Sequence, residues 1–239
     1  MEVTFTIEQS IIFFNNQCYN IDMYTSLEVI RETAISFLNI DVKKLEDSED
    51  PSKVSHPFFE FDYQIDEEGN KFDVLNQKDK MIEVRERYTK KILESSAENI
   101  LHMVTKNYRL IFLSFVFKYL NTKDKGRLLR YAWISARTPS KDIKVTRERK
   151  RQMLKECKRE ELMTREDLEY FESLPETITI YRGVKKADKI DGVSWTLSRE
   201  IAERFTYDFL DDGYVVEKEV NKSDVLAYFN IRDEQEIVI

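Results

Sequence analysis

Glycine is scarce in this chain of 239 residues: there are five, and none is spaced as GxGxxG or GxxxxGK[ST]. Rossmann dinucleotide binding and a P-loop are thereby excluded, because both need glycines where backbone approaches phosphate. Histidine is scarcer, with only His56 and His102. One precedes a proline in an acidic stretch and the other lies in a helical pattern. Both are expected to be structural or exposed, which leaves a Ser-His-Asp or Cys-His mechanism little to work with. The two cysteines, Cys18 and Cys157, are far apart and lack CxxC spacing, so neither a disulfide framework nor a zinc site is expected and a reducing compartment fits. Long apolar runs are missing too. The longest, LIFLSFVFKYL at Leu110 to Leu120, is too short to span a bilayer and reads as a buried core helix. The start, MEVTFTIEQSIIFF, has no basic segment before its apolar residues, so no signal peptide is expected; the chain reads as cytoplasmic, without a membrane partner. Acidic residues outnumber basic ones, 45 to 38. Nucleic acid is not an expected partner, because phosphate neutralisation needs basic surface.

What is present describes a folded protein: 41% hydrophobic, 12% aromatic and 35% charged residues, a balance that can bury a core. The basic stretch from Lys118 to Arg159 has few aromatics and reads as the solvated faces of helices. DVKK at Asp41 matches a PD-(D/E)xK nuclease only loosely and in the wrong texture.

Three regions follow along the chain. Residues 1–75 are expected to form a small N-terminal α+β unit of unassigned role. It has a strand-like VTFTI, a helix headed by a Thr25/Glu28 capping box, and an acidic excursion, KLEDSEDPSKVSHPFFEFDYQIDEEGNKFD. Residues 76–174 pattern as helices near 78–96, 97–121, 123–136 and 146–160, with a short one opened by Thr164; Gly126 and Pro139 mark breaks or ends. After Pro175, TITIYRG, VSWTL, GYVVEKEV, VLAYF and EQEIVI read as strands, with one short helix from Ser198. The fold class expected is α+β, a helical layer followed by a β-rich region, 175–239.

That last region concentrates the polar chemistry. Alternation puts Ile178, Ile180 and Arg182 on one strand face, so a guanidinium ends a core-facing row and wants a planar anionic partner. Gly183 then frees the backbone to turn away. Ser194 and Thr196 share a face with Trp195 opposite, and Ser198 is a natural N-cap. At the C-terminus, Glu234 and Glu236 stand two apart ahead of three aliphatics and share a face on an extended strand. Charged gatekeepers on an exposed edge strand would look the same.

In order, Tyr181-Arg182-Gly183, Ser194-Trp195-Thr196 followed by a helix with Ala202 and Phe205, and Glu234-Gln235-Glu236 resemble the R-S-E class of mono-ADP-ribosyltransferases, which includes bacterial toxins and phage transferases. The resemblance covers about the last 65 residues, and Trp195 stands where the family has a threonine. It implies an ADP-ribosyltransferase-like β domain that cleaves the nicotinamide–ribose bond of NAD and transfers ADP-ribose to a protein. The Glu-x-Glu form implies an accessible arginine as acceptor. Glu236 would stabilise the oxocarbenium ion and Glu234 would serve the acceptor. Arg182 would grip phosphate and Ser194 would position the ribose, with Tyr181, Gly183, Thr196 and Trp195 completing the NAD-binding set. NAD is the substrate and no metal is needed. The other functions weighed are an NAD glycohydrolase and an inactive transferase-like fold serving as a binding or structural module.

Overall fold

The computed structural model describes residues 24–45, 48–136, 144–185, 192–207 and 213–239. The VTFTI strand expectation lies outside them. Helix α1 (Leu27–Leu38) buries Ile30, Ala34, Phe37 and Leu38, a spacing of three and four that makes one apolar stripe. It packs on α2 (Lys78–Glu94), α3 (Ala97–Met103) and α4 (Arg109–Val116). The Thr25 capping box does not form. Ser26 occupies the N-cap without a side-chain bond, while Thr25 donates to Asp124 at 2.5 Å and accepts from the Asn121 amide at 3.1 Å.

The acidic excursion carries regular structure. It forms two antiparallel hairpins, β1 (Lys43–Lys44) with β2 (Val54–Ser55) and β3 (Tyr63–Ile65) with β4 (Lys71–Asp73). Val54, Phe58, Phe59 and Phe72 from this stretch enter the core. His56 is 1% exposed, stacks on Phe59, and accepts at Nδ1 from the Phe58 amide at 3.0 Å. It is structural, as read from the sequence; His102 is exposed.

The helix expected over 97–121 is broken. At Thr105 the chain is extended, and its amide donates to the Pro57 carbonyl at 2.8 Å instead of continuing the helix. Arg109 then covers the freed Val104 carbonyl at 3.0 Å. Short 3₁₀ turns flank α4. Helix α5 (Thr122–Ser135) runs through Gly126, which is no break but the point where α5 lies against Glu161. The helix expected near 146–160 divides into α6 (Arg147–Lys155) and α7 (Arg159–Leu162), and α8 (Arg165–Ser173) opens on Thr164, whose hydroxyl accepts from the Asp167 amide.

All five expected C-terminal strands form: β5 (Thr177–Lys185), β6 (Ser194–Thr196), β7 (Gly213–Asn221), β8 (Ala227–Phe229) and β9 (Glu236–Val238), with α9 (Arg199–Tyr207) after β6. They make one antiparallel sheet in the order β7-β5-β6-β9-β8. The final strand is therefore interior, not an edge. Ile237 and Val238 are fully buried, and the β-branched run is spent on core contacts. The chain mixes helix and sheet, a content compatible with α+β, and Leu113, Trp133, Ile180 and Ile237 belong to one continuous core. Among the described residues, no helix is long and apolar enough to cross a membrane.

Candidate active site

The sheet order brings the hydroxyl strand and the acidic strand together. Thr196 faces Glu236 across β6 and β9, and Ser194 faces Val238. Residues opposite each other in a ladder project to the same side, as do residues two apart. Ser194 and Glu236 are thus diagonal neighbours on one face, and the Ser194 hydroxyl donates to Glu236 Oε1 at 2.5 Å. The helical layer adds a second donor. The indole N–H of Trp133, on α5 and 1% exposed, donates to the same oxygen at 3.1 Å. Both bonds fall on Oε1; among the described residues no hydrogen bond falls on the other oxygen.

Burial pushes the Glu236 carboxyl above its ordinary range, and the nearby Glu234 charge adds to that. The Ser194 and Trp133 donors and the Arg232 charge pull it back toward the ionised form. A carboxylate that is desolvated yet held by fixed donors is electrostatically preorganised for a cation forming beside it.

Glu234 does not share a strand with Glu236, contrary to the sequence reading, because β9 begins only at Glu236. Asp233 and Gln235, on either side of Glu234, adopt φ of 53° and 47°. Left-handed backbone costs a non-glycine residue about 1–2 kcal/mol. The turn is held by several anchors: Gln235 donates its amide to Asn230 Oδ1 at 3.2 Å, Leu197 donates its amide to the Gln235 carbonyl at 3.1 Å, and Asp167 accepts the Asn230 amide at 3.3 Å. Thr196 adds another. Its side chain, 4% exposed, donates to the Glu234 carbonyl at 2.7 Å and accepts from the Ser198 amide at 3.1 Å. Thr196, placed by the resemblance in the NAD-binding set, is buried and thus positions the turn and the entry to α9.

Arg182 reaches the site by another route. Tyr181 is in register with Thr196, so Tyr181 joins the Thr196–Glu236 row and Arg182 leaves β5 on the opposite side. β5 and β6 pair only at that position. The Arg182 guanidinium donates to the Ser194 carbonyl and lies against Gly192, where any Cβ would overlap it. Two of the three groups therefore meet side chain to side chain, and the third is joined to them through the Ser194 backbone.

Trp195, placed by the resemblance in the NAD-binding set, is 5% exposed and donates its indole N–H to the Gly192 carbonyl at 2.8 Å, so its ring packs in the core. Gly183 does not turn the chain, since β5 continues to Lys185. A Cβ there would strike the Ala202 carbonyl and sit 3.1 Å from Phe205 Cβ, so its role is to admit α9. On that helix Ala202 is buried as expected, while Phe205 is 45% exposed.

Three residues escaped the sequence reading. Trp133 carried a signal, since a buried indole N–H needs an acceptor, but nothing in RLLRYAWIS names which one. Gly192 follows Asp191 just ahead of a strand, a pair that marks a turn but does not name the guanidinium that lies against it. Arg232 falls in the terminal turn, where it donates to the Ile134 carbonyl at 2.7 Å and lies 4.0 Å from Glu234 Oε1.

Among the described residues no cluster of His, Cys, Asp or Glu could hold a metal ion. An open groove of about 590 Å³ lies between α1 and α2, lined by Asn39, Ile82, Arg85 and Leu93 among others, and shares no residue with this site. No family model, curated protein or solved structure matches this chain.

Proposed function

We propose that this protein is an NAD-dependent mono-ADP-ribosyltransferase that modifies arginine on a target protein, working inside the cell. The single observation that carries the reading is the Ser194–Glu236 contact of 2.5 Å with Trp133 on the same oxygen. A helical layer ahead of a five-stranded antiparallel sheet also suits the transferase-like domain that the motifs resemble.

The chemistry asked of these residues is modest. Nicotinamide leaves as a neutral ring that takes the electron pair of its bond to ribose C1′, so no general acid is required, unlike glycoside hydrolysis with its paired acid and base. Positive charge grows on the ribose, and the Glu236 carboxylate beside it lowers the barrier. Ser194 and Trp133 fix that carboxylate through Oε1, and its other oxygen receives a ribose hydroxyl. Arg182 leaves the opposite face of the sheet, and its guanidinium, at the Ser194 carbonyl where β5 and β6 part after a single paired position, would take the diphosphate there. The acceptor guanidine nitrogen then bonds to C1′ and gives its proton to Glu234.

Water in place of the acceptor gives an NAD glycohydrolase. One observation favours some hydrolysis: Glu234 already has Arg232 beside it at 4.0 Å, which leaves it less available to an external guanidine. Incubation with NAD labelled in its ADP-ribose part separates the readings. Label on protein arginine supports transfer, free ADP-ribose supports hydrolysis, and an unconsumed label leaves only a binding or structural module. Glu234→Ala is expected to lose transfer while still releasing nicotinamide. Loss of both together would put Glu234 in the wrong role.

A further inference from the structure

The turn that carries Glu234 contains an arginine of its own. Arg232 Nη2 donates to the Ile134 carbonyl at 2.7 Å and lies 3.4 Å from the Ala136 carbonyl, both at the C-terminal end of α5. The last carbonyls of a helix lack intrahelical donors and carry partial negative charge, so they suit a cation. The same guanidinium turns its Nη1 to Glu234 Oε1 at 4.0 Å. The pair is partly open, with side chains 47% and 35% exposed, so it is weakly held and can be exchanged for another partner.

We propose that Arg232 is a specificity-determining residue: in the resting chain its guanidinium occupies the acceptor side of Glu234, and an incoming arginine must displace it. The inference rests on the transferase reading for its biological meaning, but its chemistry concerns only Glu234 and guanidinium groups. Arg232 is tethered two residues from Glu234, so it competes at high local concentration without needing a strong bond. An acceptor presented by a docked protein surface can outcompete it. A free small guanidine does so poorly, and water needs no displacement at all. Arg232 thereby biases the site against stray guanidines. Anchorage to α5 keeps the competing group in place, because the helix end holds one nitrogen while the other faces the carboxylate.

Agmatine, a guanidinium without a protein, is the probe. Its titration into protein labelled with ¹³C at glutamate δ-carbons is read at the Glu234 resonance, with no NAD present. Arg232→Ala is expected to bind agmatine about two- to fivefold more tightly, the range of an exposed ion pair. The gain should vanish in Arg232→Ala combined with Glu234→Gln. With NAD added, the ratio of transfer to agmatine over hydrolysis should rise by the same factor through KM for agmatine. Equal or weaker agmatine binding by Arg232→Ala, with the Gln235 and Leu197 amides still protected from exchange, overturns the proposal. Where that protection is lost, Arg232→Lys decides, since it keeps a donor for the Ile134 carbonyl but not the fork. Tighter binding there supports the proposal, and unchanged or weaker binding overturns it. A wild-type protein that leaves NAD intact removes the transferase reading, while the agmatine titration still decides the role of Arg232.

Discussion

Replacing Trp133 with phenylalanine isolates the part that the helical layer plays at the carboxylate. The indole N–H donates to Glu236 Oε1 at 3.1 Å from a side chain 1% exposed, and phenylalanine keeps most of the ring volume while removing the donor. A hydrogen bond to a charged group is worth about 1.5–3 kcal/mol. Its loss falls mainly on the ionised form of Glu236, whose carboxyl is already raised by burial. At about 1.4 kcal/mol per decade, the ionisation equilibrium moves about ten- to hundredfold toward the protonated acid. In the proposed mechanism only the ionised carboxylate stabilises the oxocarbenium ion, so NAD turnover is expected to fall away on the acid side as pH drops through this pKa. Trp133→Phe should therefore bring that acid limb to higher pH, with NAD turnover approaching wild type only on the alkaline side. The smaller ring also leaves a void and lowers stability by about 1–3 kcal/mol, read separately as a fall in Tm. A ¹³C titration of the Glu236 carboxyl reports the same movement without any turnover. An acid limb and a carboxyl titration both unmoved in a folded Trp133→Phe protein would refute the reasoning.

Gly192→Ala places a Cβ where the Arg182 guanidinium lies; kcat/KM for NAD is expected to fall about ten- to hundredfold through misplacement of that cation, and a wild-type kcat/KM would show that its present place does not matter. His56 supplies a pH dependence of stability unrelated to the site. Burial lowers its pKa from 6.5 to about 4, so between those values the unfolded chain binds more protons than the folded one and stability rises with pH. Urea unfolding should show about 3 kcal/mol from this group at pH 7 being lost as pH falls from 6.5 to 4; in His56→Gln that slope should flatten, and an unchanged slope would assign it to other groups.

The strands of the last third were legible because each is short, apolar and bounded, from TITIYRG to EQEIVI. Their order in space was not: nothing local places the last strand between β6 and β8, and only that insertion sets Ser194 diagonal to Glu236. Helices were readable where a cap such as Thr164 opened them. The long apolar pattern from Ala97 misled, because Thr105 gives its amide to Pro57 of a distant hairpin. Alternation also misplaced Glu234. Two left-handed residues, Asp233 and Gln235, turn the chain where an extended strand was expected, and neither is the glycine that would have announced such a turn. Thr196 and Trp195 sat in the motif yet serve the Glu234 turn and the core. Trp133 and Arg232 came from contacts across about a hundred residues of sequence, beyond the reach of any local pattern.

The most direct measurement is the rate of nicotinamide release from NAD at neutral pH by the wild-type protein and by Glu236→Gln, which keeps the shape of the side chain and removes its charge. Turnover by the wild type with a loss of about a hundred- to thousandfold in the variant is the result expected of a carboxylate that stabilises the ribosyl cation. Equal rates in two equally folded proteins, or no release by the wild type at any concentration of NAD, would contradict it.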